Sequence, residues 1–73
     1  MEEKIIAIVS RITKKDKEFL ADNYDTIKLW DSLSKVEIVF ELEETFNITF
    51  STDEIAVMDC LSNIIDITKR KVS

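Results

Sequence analysis

The chain has no glycine, no proline and no histidine, and its one cysteine is Cys60. Without glycine or proline the tight turns of hairpins lose their usual residues, so helices are predicted rather than an all-β architecture. Zinc sites built on histidine are excluded, and a lone thiol cannot form a bridge within the chain. Cys60, between Asp59 and Leu61 at a predicted helix start, reads as a small half-buried apolar side chain with no chemistry of its own. No stretch of 18 consecutive apolar residues occurs, which excludes a helical membrane span. The first residues, "MEEKIIAIVSR", lack the basic start and cleavage site of a secretory signal, so a cytoplasmic location is expected.

What is present is 73 residues, enough for one domain over 1–73 and too few for two. A chain this small buries only about 60% of its unfolded surface and needs a dense core. The formal charge of −5 is unevenly spread. Residues 1–18 carry five basic and four acidic groups, residues 19–65 two and ten, and residues 66–73 three and one. The acidic middle repels nucleic acid and anionic lipid and favours a basic protein partner. A monomer is expected.

Helical spacing of Ile5, Ile8, Val9 and Ile12 predicts a first helix over about 2–14, with Glu2 and Glu3 at its positive end and Arg11, Lys14 and Lys15 at its negative end. Residues 15–31 show no clean period despite Phe19, Leu20, Tyr24, Ile27, Leu29 and Trp30, and are expected to form a long pinned loop. A second helix is predicted over about 32–46. Ser51 followed by Glu54 is a capping-box pattern that opens a short third helix over about 52–58. Leu61, Ile64, Ile65 and Thr68 mark a last helix over about 60–71, capped by Asp59 or Ser62 and closed by "KRK".

The second helix is apolar on two sides. At about 100° per residue with Leu33 at zero, Ile38, Leu42, Phe46 and Val39 fall at about 140°, 180°, 220° and 240°, a stripe wide enough to seal a small bundle. On the opposite side Val36 and Phe40 fall at about 300° and 340°, interleaved with Glu44 and Glu37 at about 20° and 40°. Either the loop and the third helix cover this face, or it is an exposed apolar patch with an acidic border. The helix start, "DSLS", offers Asp31, Ser32 and Ser34 as caps, and Ser34 with Glu37 makes a formal capping box. The surplus is either redundancy or a serine that carries a phosphodiester where free N–H groups and the helix dipole stabilise an anion.

The stretch "DSLSKVEIVFELEETFNITFSTDEI", residues 31–55, resembles the acyl carrier protein family: Asp-Ser-Leu, Val-Glu, an apolar run, Leu-Glu-Glu, a phenylalanine ending the helix, and an extended link to a capped third helix. The order of predicted elements extends the resemblance more loosely over the whole chain. It implies an all-α four-helix bundle of the acyl-carrier type, and Ser32, flanked by Asp31 and Leu33, as the attachment point of 4'-phosphopantetheine from coenzyme A. It also implies that Leu33, Val36, Glu37, Phe40, Glu43, Glu44, Ile55 and Met58 form the recognition face. The implied partners are a phosphopantetheinyl transferase, an acyl- or aminoacyl-loading ligase, and acyltransferase or synthase enzymes with basic docking patches. Many carriers of fatty acid synthesis have Gly-x-Asp-Ser-Leu; Trp30 before Asp31 looks more like freestanding carriers that serve specialised lipid, polyketide, cell-envelope or D-alanine transfer pathways.

Two other classes compete. In one, Ser32 only caps a helix and the apolar strip makes the chain a non-covalent acidic interaction module. An enzyme is disfavoured, because the only acid/base candidates are clustered carboxylates on a surface helix with no pocket to shift their pKa values. A calcium loop fails as well: the twelve-residue window from Asp22 lacks glycine and ends on Leu33.

Overall fold

In the computed structural model, which describes residues 1–72, the apolar periods resolve into five helices: α1 (Glu2–Thr13), α2 (Lys17–Asp22), α3 (Ser32–Phe46), α4 (Thr52–Ala56) and α5 (Leu61–Val72). No strand occurs among the described residues, and no helix is long and apolar enough to cross a membrane. Ile5, Ile8 and Val9 of α1 meet Ile38, Val39 and Leu42 of α3 and Leu61, Ile64, Ile65 and Ile67 of α5 in one core, completed by Leu20, Phe50 and Met58. α1 packs on α2, α3 and α5. The Cα radius of gyration is 10.9 Å, close to the roughly 11 Å expected of a compact domain of this length.

The expected uninterrupted loop over 15–31 is corrected by α2, which makes five helices rather than four. Six residues cannot display a helical period, and α2 has only one buried residue, Leu20. Its neighbour Phe19 is left exposed beside the Lys15 ammonium, 5.6 Å from the ring centroid. The rest of the segment is pinned only in part, since the Tyr24 and Ile27 side chains are exposed. Ser62 donates its N–H to the Tyr24 carbonyl at 3.0 Å, and Leu29 and Trp30 pack partly buried against the core.

The expected box opens α4: Ser51 Oγ accepts the Glu54 N–H at 3.2 Å, and Glu54 Oε1 accepts the Ser51 N–H at 2.8 Å. Glu54 also pairs with Lys71 of α5 at 2.8 Å. That pairing first, and the Ser51 N–H second, hold its carboxyl below the ordinary value. α4 stops at Ala56, two residues before the expected end, and the Val57 carbonyl accepts the Asn63 side-chain amide at 2.8 Å. Neither residue expected to cap α5 is bound as a cap: the Asp59 carboxylate is paired with Lys35 at 2.7 Å, and the Ser62 hydroxyl lies 3.2 Å from Cys60 Sγ. Cys60 is buried rather than half-buried.

Glycine is the residue that usually ends a helix in the left-handed conformation, and this chain uses other residues there. Lys14 (φ 61) closes α1 and Asn47 (φ 55) closes α3.

Among the described residues one buried side-chain polar atom is unsatisfied. Thr68 on α5 is wholly buried and its Oγ1 has no hydrogen-bond partner. A buried hydroxyl left unpaired costs about 1 to 3 kcal/mol, and valine has nearly the same shape. Thr68→Val is therefore expected to raise unfolding free energy by about 1 kcal/mol, measured by urea titration. Destabilisation by the substitution would show that the hydroxyl is satisfied.

Candidate functional site

α3 is the longest of the described helices, and it carries large apolar side chains on its exposed side as well as its buried one. Ile38 and Leu42 are completely buried and Val39 nearly so, whereas Leu33, Val36 and Phe40 are 68%, 60% and 58% exposed. Of the two alternatives for the second apolar face, neither the loop nor α4 covers it. Glu37 and Glu44 beside it are exposed and have no partner among the described residues. Glu41, on the flank, pairs with Arg11 of α1 at 3.0 Å.

The surplus of caps at the helix start is resolved in favour of Asp31. Its Oδ1 accepts the Ser34 N–H at 2.8 Å from an extended backbone, the geometry of an N-cap that satisfies one of the helix's free donors. This hydrogen bond first, and one from the Ser34 side chain second, hold the Asp31 carboxyl below its ordinary value, so the cap is ionised at neutral pH. Ser34 lies inside the first turn and is a donor to the cap, so the formal box with Glu37 is not formed. Ser32 is the first helical residue, exposed, and its hydroxyl has no hydrogen-bond partner among the described residues.

Ser32 and Asp31 lie on the edge of a cleft of about 220 Å³ whose other walls are Ile27, Lys28, Trp30, Lys35 and Asp59. Lys35 of α3 and Asp59, before α5, close one wall through their ion pair, in which the lysine side chain is only 17% exposed. The cleft thus joins the pinned loop, α3 and the segment entering α5. Lys28 and Lys35 were not singled out from sequence, and Asp59 and Ile27 were noted only as a helix cap and as an apolar residue of the loop. The ion pair links residues 24 positions apart, and no local pattern reports such a contact.

Three members of the expected recognition face are placed otherwise. Met58 is fully buried, because the chain leaving α4 turns it into the core beside Leu61, and it is unavailable to a partner. Ile55 is half-buried against the same core. Glu43 is half-buried and its Oε2 accepts the Phe50 N–H at 2.8 Å, which ties the end of α3 to the link before α4. Val57, 51% exposed, is apolar surface that the sequence pattern did not single out. Among the described residues no group of three or more Cys, Asp and Glu side chains is placed to hold a metal ion. No family model, curated protein or solved structure matches this chain.

Proposed function

We propose that this chain is a carrier protein of the acyl-carrier type, without catalytic activity of its own, in which the Ser32 hydroxyl takes a 4'-phosphopantetheine arm. The observation that supports this most is the division of labour at the start of α3. Asp31 does the capping, and Ser32 stands exposed and uncommitted at the edge of a cleft. A serine retained only as a cap would accept a backbone N–H, and this one does not.

The residues suit the group. An anion esterified to the first residue of a 15-residue helix lies at the positive end of its dipole, a favourable place for a phosphodiester. In the attachment reaction the Ser32 oxygen attacks phosphorus in the pyrophosphate of coenzyme A, the bond to the nucleotide portion breaks, and the hydroxyl proton passes to a base on a phosphopantetheinyl transferase. Once attached, the arm supplies a thiol able to hold an acyl group as a thioester. Leu33, Val36 and Phe40 then form an apolar strip for docking, and Glu37 and Glu44 an acidic border for enzymes with basic patches: loading ligases, acyltransferases and synthases of a specialised lipid, polyketide or cell-envelope pathway. An aminoacyl carrier of the D-alanyl type would use the same surface.

A second reading rests on the exposed strip alone. Leu33, Val36 and Phe40 would serve equally in a non-covalent interaction module. The two part at one measurement, intact mass after incubation with coenzyme A and a promiscuous phosphopantetheinyl transferase. Wild type is expected to gain one phosphopantetheinyl group and Ser32→Ala none, with unchanged helical circular dichroism. Failure of several transferases to modify the folded wild type would leave the interaction module as the better reading, and modification of Ser32→Ala would move the site.

A further inference from the structure

The loop leading into α3 contains one residue whose backbone serves no helix. Lys14 and Asn47 have positive φ because each ends a helix, their N–H groups returning to the Ser10 and Glu43 carbonyls. Lys28 has φ 64 and ends none. A left-handed backbone is unfavourable for a residue with a Cβ, and such outliers concentrate where a site is being built. Here the outlier puts Lys28 on the wall of the cleft that contains Ser32. Among the described residues it forms no ion pair, whereas the other lysine of the cleft, Lys35, is bound to Asp59 at 2.7 Å.

A charge balance shows what an unpaired cation does there. Asp31 is ionised, and a phosphodiester on the adjacent residue would add a second negative charge within a few ångströms. The α3 dipole supplies only about half a positive charge. Lys35 and Asp59 neutralise one another, so Lys28 is the cation left to oppose the second anion. Beside it, Trp30 and Ile27 add apolar surface to the lining of the cleft, with Ile27 57% exposed and Trp30 half-buried.

We infer that the cleft is the seat of the phosphodiester end of the arm, with Lys28 pairing with the phosphodiester and Trp30 and Ile27 covering the apolar carbons next to it. The inference rests on the carrier reading. The cleft, of about 220 Å³, is open to solvent, so an arm seated at its phosphodiester end can still lead outward to a partner's active site.

Trp30 is the chain's only tryptophan, so its fluorescence reports this cleft alone. The experiment compares acrylamide quenching of the unmodified protein with that of protein shown by intact mass to be fully modified on Ser32. Modification is expected to reduce the quenching constant of wild type roughly twofold, as one face of the ring is covered. Modified Lys28→Gln is expected to lose that protection. Modified Lys4→Gln, which removes an exposed charge from α1, is expected to keep it. Equal quenching of modified and unmodified wild type would overturn the inference, as would full protection in Lys28→Gln, and either result would leave the carrier reading standing. Absence of the mass gain itself would sink the carrier reading and this inference with it, before any fluorescence is measured.

Discussion

Leu42→Ala is expected to lower the unfolding free energy by about 3 to 5 kcal/mol, while Phe40→Ala, two residues away on the same helix, changes it by no more than about 0.5 kcal/mol. Leu42 is completely buried among α1, α3 and α5, so truncation opens a cavity that its neighbours fill only in part. Phe40 is 58% exposed, and alanine is the better helix former at a surface position. The contrast is large against the whole. At about 0.05 to 0.15 kcal/mol per residue a 73-residue domain has roughly 4 to 11 kcal/mol to lose, so Leu42→Ala should be near the limit of folding. Thermal melts followed by circular dichroism are the check, with Leu42→Ala melting more than about 10 °C below wild type. If Phe40→Ala unfolds the domain and Leu42→Ala is tolerated, the two faces of α3 are reversed and the docking assignment falls with them.

That contrast was legible before any coordinates because α3 is long enough to show its phase. Fifteen residues give four turns, and the angular separation of Ile38, Val39 and Leu42 from Leu33, Val36 and Phe40 survives any reasonable error in the helix ends. The two faces could be separated from sequence, but not assigned an exposure: whether the second one is covered depends on where the loop and α4 go. The capping box of α4 was legible for a related reason, since both its partners lie within four residues. α2 was not, because six residues starting at Lys17 carry a single buried side chain and no period. Met58 and Glu43 were misplaced by the same limitation. The direction of Met58 depends on a turn after Ala56, and the Glu43 carboxylate is occupied by an N–H seven residues away. The walls of the cleft beside Ser32 come from three separate segments. The left-handed backbone of Lys28 has no signature in a chain that lacks the glycine that would have marked it.

If the exposed side of α3 is where partner enzymes dock, its apolar and acidic residues should fail in different ways. Phe40→Ala removes the largest exposed apolar side chain of the strip, and loss of an interface anchor costs about 2 kcal/mol or more, which is roughly thirtyfold in affinity. Its effect on the rate of modification by a phosphopantetheinyl transferase at low substrate concentration should be of that order and nearly independent of salt. Glu44→Lys leaves the strip intact and places a positive charge before a basic partner, so it should act on encounter. Its modification rate is expected to fall about tenfold at low salt, within the range over which electrostatic steering changes association rates. The deficit should shrink as ionic strength rises, because the screening length falls from about 30 Å at 0.01 M to about 3 Å at 1 M. Both residues are exposed, so both variants should melt with wild type, and any rate loss is then a property of the surface and not of the fold. Arg11 provides the comparison: it pairs with Glu41 on the flank of the same helix, and Arg11→Ala would leave that carboxylate unpaired and the surface more acidic. A basic partner should modify Arg11→Ala at least as fast as wild type. If Glu44→Lys and wild type are modified equally fast at low salt, partners do not reach Ser32 across the acidic border of α3.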